Sequence, residues 1–286
     1  MDMDNLSTII LGGALFVIML GMGLSLRTED FKRIVLYPKA IFLGLFNQLL
    51  LLPLIGLLIA VTITSTPEIA VGIMILAACP GGPTSNLISF MAKGDLALSV
   101  SLTAISSLIT IITIPFIVLF SLEYFLGTSQ EIELNIFAMI AQIFVIVVIP
   151  IGIGMMIRRF KTSFAERMGR PVRIASGIVL ALIIVGLVVK ERANVTDYLN
   201  QAGAATLLLN VITMAIGYYS AKLLRLRKEA AISIAIESGI QNGTLAITIA
   251  VVLLQNSALA IAPAVYSILM FITGGVMIFF FGKRTT

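Results

Sequence analysis

The chain has 286 residues, 59% of them hydrophobic and only 12% charged, with a mean hydropathy of +1.11. These values lie outside the range of soluble domains and mark an all-α membrane protein without a separate soluble domain. There is no histidine and one cysteine, Cys79, which excludes a His-based triad, a zinc site and an internal disulfide, while the net charge of +5 invites a nucleic-acid reading until its distribution is followed.

A helical span needs about 20 mostly apolar residues. Nine such segments succeed one another, at 5–25, 38–62, 68–91, 95–121, 133–157, 171–189, 200–221, 229–254 and 258–281. The first is too continuous for a cleaved signal peptide and is expected to be retained. Its leading end carries only Asp2 and Asp4. The next loop holds Arg27, Lys32, Arg33 and Lys39, and the loop after span three holds Lys93. Arg158, Arg159, Lys161, Arg167 and Arg170 follow span five, with Arg173 just beyond; Lys222, Arg225, Arg227 and Lys228 follow span seven. Lys283 and Arg284 close the chain. Alternating loops therefore place 17 of the 19 Lys and Arg on one side, leaving Lys190 and Arg192 opposite, with Glu123, Glu131 and Glu133 in a loop that has no base. The positive-inside rule makes the basic side cytoplasmic, with the N-terminus outside. Nucleic acid is not needed to explain the surplus.

Span two carries Gln48 in apolar surroundings, and span seven carries Asn210 in the same way. Span three is interrupted by "CPGGPTSNLISF", Cys79 to Phe90. Pro80 and Pro83 remove two amide donors, and Gly81-Gly82 between them leaves little helix to propagate. Ser85 and Asn86 open the half-helix that follows. In span four, Ser99 and Thr103 are spaced i, i+4 and share one helix face. Span eight contains "AIESGIQNGTLAITIA", Ala235 to Ala250. Of 14 acidic residues, Glu237 alone lies well inside a span. An ionised side chain there costs on the order of 3 kcal/mol, so such residues face cavities and serve function. Gly239 and Gly243 weaken the helix around it, while Ser238, Gln241 and Asn242 supply replacement polar groups.

Spans three and eight run in opposite directions, each breaks near its middle, and each break is followed by an Asn. Two interrupted spans in matching places of oppositely oriented halves indicate an inverted-topology repeat. Spans 1–4 then pair with spans 6–9, span five is unmatched, and Gln48 and Asn210 become counterparts. No repeat is visible as residue identity. Each break exposes carbonyls at the end of one half-helix, which suit a cation, and amides at the start of the next, which suit an anion. Oxygen donors with one carboxylate form a hard-ligand site. Sodium fits it, and so does a proton on Glu237. A kink alone, or a buried acid that only ties helices together, is the structural alternative to each break taken singly.

The stretch Cys79 to Ser106 together with "IAIESGIQNGTLA", Ile234 to Ala246, resembles the bile acid:sodium symporter family, in the nine-helix form found in bacteria. The resemblance implies a sodium-coupled carrier, not an enzyme, in an inner (plasma) membrane. It implies a core of spans 38–121 and 200–281 and a panel of spans 5–25, 133–157 and 171–189, working by alternating access. One sodium site would use Ser85, Asn86, Ser99, Thr103 and Glu237. A second would use Gln48, Glu237 and Gln241, with carbonyls from Ser238 and Ile240. Thr84, Asn86, Asn242 and Gly243 would face a small organic anion, either bile-acid-like or a smaller acid such as a pantoate- or pyruvate-like one. No cofactor beyond two coupling sodium ions and no obligate protein partner is implied. The rivals are a proton-coupled carrier or exporter on the same scaffold, a channel or sensor, and an intramembrane enzyme.

Overall fold

The computed structural model describes residues 3–64, 66–127, 135–190 and 195–282; side chains at 3–10 and at some positions of 33–34 and 170–199 lie outside that description. Asp2, Glu131, Glu133, Arg192, Lys283 and Arg284, used above for orientation, also lie outside it. The described residues are helical almost throughout. Five stretches are long and apolar enough to cross a membrane: Pro38–Thr62, Leu96–Leu126, Ile136–Phe160, Asn200–Leu223 and Ser257–Phe281. Their outer faces carry exposed Leu58, Ile112, Phe116 and Phe280, as a lipid-facing surface requires.

Helix α1 (Met3–Ser25) is followed by a short helix α2 (Thr28–Leu36) within the stretch expected to be a loop. Its polar residues Glu29, Asp30 and Lys32 and its half-buried Phe31 fall on different faces, a pattern that escapes a hydropathy window. Helix α3 (Pro38–Phe46) runs through a π-turn at Asn47–Leu51 into α4 (Leu52–Thr62). Pro53 has no N–H to give and its ring crowds the carbonyl four residues back, so the ladder slips and Leu52 N–H bonds Asn47 O. That slip leaves Asn47 and Gln48 both buried.

Helices α5 (Pro67–Ala78) and α6 (Pro83–Met91) are the halves of the third apolar segment. Pro83 belongs to α6 rather than to the gap, because the first helical position needs no N–H. Helix α7 (Leu96–Leu126) is capped by Asp95, whose side chain accepts from Leu98 N. It runs five residues past the expected end, to Gly127 at φ 66. Helix α8 (Ile136–Ile143) passes through a second π-turn, Phe144–Val148, ahead of Pro150, into α9 (Ile149–Phe160). Helix α10 (Thr162–Lys190) begins well before the expected residue 171, so Arg167 and Arg170 are helical rather than in a loop. Charge ends a hydropathy window but not a helix, and Arg and Glu are good helix formers. Helix α11 (Val195–Leu223) leads to α12 (Lys228–Gly239) and α13 (Gly243–Thr248), the halves of the eighth segment. A π-turn, Ile249–Leu253, and a single 3-10 turn, Ala258–Ala260, precede α14 (Ile261–Phe281).

Helix α1 packs on α9 and α10, while α5 packs on α4 and α7, and α11 on α12 and α14. The α1–α9 crossing is close because Gly23 lies on the Ile151 backbone and Gly154 on that of Leu20; a Cβ at either would collide with main chain. Arg158 Nη1 donates to Leu24 O at 2.7 Å and holds the end of α1.

Candidate functional site: an oxygen cage at two paired helix breaks

The two gaps meet. Gly81 and Gln241 form an isolated antiparallel bridge, and Asn242 N donates to Pro80 O at 2.9 Å. Backbone groups freed by one interruption are thus satisfied by the other, which irregular chain buried at this depth must achieve. Asn242 also caps α13, its Oδ1 accepting from Leu245 N at 3.1 Å.

Glu237 sits two turns into the buried face of α12 and, at 2% exposure, is the only buried carboxylate among the described residues. Ser85 Oγ donates to its Oε1 at 2.6 Å, Ser99 Oγ donates to the same oxygen, and Thr103 Oγ1 donates to Oε2 at 2.8 Å. Asn86 Oδ1 faces Ser99 Oγ at 2.9 Å and Thr103 Oγ1 at 3.3 Å. The five residues named from the family resemblance for the first sodium site therefore converge on one point, from α6, α7 and α12.

Proton arithmetic gives this cluster its chemistry. Ser85 Oγ also meets Gly82 O at 2.7 Å, and Thr103 Oγ1 meets Ser99 O at 3.0 Å. Acceptors crowd Ser85 twice, Ser99 twice and Thr103 three times, seven contacts in all. Three hydroxyls carry three protons. Turning the Asn86 amide end for end removes two contacts and still leaves five. Gly82 O already accepts from Ser85 N and Ser99 O lies within the α7 ladder, so with the amide turned the three protons match the three contacts to Glu237. Hydroxyl, amide and carboxylate oxygens gathered in this way suit a hard cation, and a proton on Glu237 suits them too. Among the described residues no cluster of His, Cys, Asp and Glu offers an alternative metal site.

The second expected site is arranged differently. Gln48 Nε2 donates to Gln241 Oε1 at 2.6 Å and to Cys79 O at 3.1 Å. Gln241 Nε2 reaches Ser238 O at 3.0 Å and Glu237 O at 3.3 Å. Amide hydrogens thus occupy the carbonyls, and Gln48 Oε1 is buried without a partner among the described residues. Glu237 contributes its carbonyl to this cluster and its carboxylate to the cage. Ser238 Oγ turns back to Ile234 O, and Ile240, fully buried, donates its N–H to Ile236 O.

Of the residues expected to meet substrate, Thr84 is half-buried in the first turn of α6, and Asn86 and Asn242 border the paired breaks. Gly243 packs against the Ser267 hydroxyl of α14, so its small size serves helix contact. Asn210 Nδ2 donates to Gly239 O at 2.6 Å, the last carbonyl of α12. Sequence reasoning missed its companion, Tyr266, whose hydroxyl donates to the same carbonyl at 2.7 Å. Tyr266 lies in an apolar run on α14, and nothing local distinguishes it from a packing aromatic.

The described helices form a membrane-type bundle around a buried cage of oxygen donors. A profile of the sodium bile acid symporter family matches residues 13–198. The uncharacterized sodium-dependent transporter YocS of Bacillus subtilis is 31% identical over 97% of this chain and 83% of its own length. The probable chloroplastic sodium/metabolite cotransporter BASS2 of rice is 27% identical over 93% of this chain, which spans 62% of that longer protein. The human ileal sodium/bile acid cotransporter is 25% identical over 98% of this chain and 82% of its own length. The chain belongs to the sodium bile acid symporter family. It is a sodium-coupled transporter and not an enzyme.

Proposed function

We propose that the protein imports a small organic anion with inward-moving sodium by alternating access. The observation that carries this is the convergence of five oxygen-bearing side chains, one of them the buried Glu237 carboxylate, at the meeting of two broken helices. One sodium ion occupies the cage of Ser85, Asn86, Ser99, Thr103 and Glu237 and neutralises the buried acid, whose isolated charge is otherwise costly. A second occupies the Gln48–Gln241 cluster once the Gln241 amide turns away from Glu237 O and Ser238 O, with Gln48 Oε1 already free to join it. Glu237 links the two through its side chain and its carbonyl.

With both ions held, the half-helix starts beside Asn86 and Asn242 present backbone amides to a carboxylate or sulfonate. Thr84 borders the same region. The proposed topology is nine crossings in an inner (plasma) membrane, in 4+5 inverted repeats, with the basic side cytoplasmic. The core comprises α3–α7 and α11–α14; the panel comprises α1 and α8–α10. The close glycine crossing of α1 and α9 supports a rigid panel, and the backbone pairing of the two breaks supports a rigid core.

The test is substrate-screened uptake into proteoliposomes under an inward sodium gradient, with the native protein and with Glu237→Gln. Uptake that collapses without sodium and in the variant is expected. Equal uptake by the two would end the coupling role of Glu237. Transport steep in pH and indifferent to sodium would install the proton-coupled carrier instead, and continuous current without stoichiometric uptake would install a channel.

A further inference from the structure

A cavity of about 180 Å³ lies at the basic end of the helices. Its floor is apolar, formed by Ile41, Leu98, Leu226 and Ala230. Its rim is formed by Arg225 and Arg227 from the turn between α11 and α12, with Asp95 at the start of α7 and Tyr37 ahead of α3.

Arg225 is held there at a conformational cost. It occupies the left-handed region at φ 56, just past the end of α11. Its N–H bonds Lys222 O at 2.9 Å, and Leu226 N–H bonds Ala221 O at 3.0 Å, a helix ending that glycine makes with less strain. The Arg225 guanidinium is exposed and has no ion-pair partner among the described residues. Arg227 meets Asp95 Oδ2 at 3.2 Å, which neutralises the one acid of the rim, yet its side chain remains 69% exposed. Planar guanidinium groups match the oxygens of a phosphate.

What enters from outside is also indicated. Val35, Leu36 and Tyr37, beside the cavity at the end of α2, are 82%, 68% and 51% exposed. Exposed Lys39 follows them. Lys222 and Lys228 lie over the rings of Tyr218 and Phe281, the disposition of side chains at a membrane–water boundary. Apolar surface, an apolar-floored recess, the unpaired Arg225 and the still largely exposed Arg227 adjoin in that order. This is the profile of an amphiphile with acyl chains and an anionic head.

We propose that this recess seats the headgroup of an anionic phospholipid, its phosphate on Arg225 and Arg227 and its acyl chains against Val35 and Leu36. The site is one link from the cage. Asp95 caps α7 through Leu98 N, receives Ser233 Oγ on its carbonyl at 3.0 Å, and donates its own N–H to Glu229 O at 3.0 Å. It therefore ties the helix of Ser99 and Thr103 to that of Glu237.

The experiment titrates purified full-length protein in neutral detergent with phosphatidylglycerol, phosphatidylcholine or soluble glycerol 3-phosphate, reading the thermal midpoint and bound lipid by native mass spectrometry. Phosphatidylglycerol is expected to bind and raise the midpoint; the other two are expected not to. Arg225→Gly, which suits the left-handed backbone, is expected to keep the lipid-free midpoint and weaken phosphatidylglycerol binding about fivefold, the effect of one basic residue at an anionic surface. Arg225→Lys is expected to retain most of the affinity. Should Arg225→Gly lower the lipid-free midpoint, Arg225→Gln replaces it and is read the same way. Undiminished lipid affinity in the neutral variant, equal binding of phosphatidylcholine, or equal binding of glycerol 3-phosphate would each overturn the assignment. Sodium-driven uptake by Arg225→Gly is scored separately, so loss of the lipid site is distinguished from loss of transport.

Discussion

Gly81 pairs with Gln241 through their backbones, so two interruptions separated by 160 positions in the chain lie back to back. Glu237 Oε2 lies against Gly81 closely enough that a Cβ there would stand 2.5 Å from it, and 3.3 Å from Ser85 Oγ. Gly81→Ala is therefore expected to displace the carboxylate from the cage. Sodium-induced thermal stabilisation of the native protein, about 2.7 kcal/mol at a hundredfold excess over Kd, should vanish in this variant. A retained sodium response would show that the carboxylate is not held where the cage needs it.

Removing one cage oxygen should be milder. Ser99→Ala takes an oxygen ligand from the proposed sodium shell, a loss on the scale of a hydrogen bond to a charged group, about 1.5–3 kcal/mol. At least a roughly tenfold fall in apparent sodium affinity is expected. Ser106→Ala is the control, since the Ser106 hydroxyl bonds only Thr103 O at 3.2 Å. Sodium titrations that cannot separate the two variants would remove Ser99 from the site.

Tyr266 and Asn210 both serve Gly239 O, and their effects should not add. Tyr266→Phe leaves the Asn210 bond in place and is expected to cost about 1 kcal/mol. Asn210→Leu removes the amide donor to Gly239 O while Tyr266 keeps its own bond to that carbonyl. The double variant, which strips the carbonyl of both, should lose more than the two single changes summed. Strict additivity in unfolding measurements, with sodium affinity unchanged throughout, would make this trio mere packing.

Gly243 and Ser267 offer a second coupled pair. Gly243→Ala places a methyl group on the Ser267 hydroxyl and is expected to destabilise by about 1–3 kcal/mol. Adding Ser267→Gly should recover most of that loss, because both the hydroxyl and its Cβ then leave the contact. No recovery would mean that a different neighbour sets the size limit at Gly243.

Asp95 and Arg227 form an ion pair at 3.2 Å, but the helix cap outweighs it. Arg227→Ala is expected to change stability by less than about 0.5 kcal/mol, as exposed pairs do. Asp95→Ala, which uncaps α7, should cost about 1 kcal/mol. Equal losses in the two would assign the stabilisation to the ion pair instead.

Much of this is legible in the amino-acid sequence. Pro80, Gly81, Gly82 and Pro83 interrupt a helix through their covalent structure, and Glu237 is conspicuous wherever its neighbours are apolar. Ser99 and Thr103 share a face because helical pitch makes them do so. These are local properties, and a chain states them residue by residue. The charged start of α10 and the short α2 were not legible by hydropathy, because that scale reports lipid preference rather than backbone conformation.

Tertiary structure alone decided how those parts were shared. Nothing local says that the carboxylate of Glu237 enters the hydroxyl cage while its carbonyl serves the glutamine pair, since one residue is equally near both along the sequence. Nothing local singles out Tyr266 as the partner of Gly239, or sets Gly243 against Ser267. Those outcomes depend on which faces of α6, α7, α11, α12 and α14 meet. That choice is made by close packing among segments far apart in the chain, Ser85 and Glu237 by 152 residues, with every buried backbone group required to find a partner.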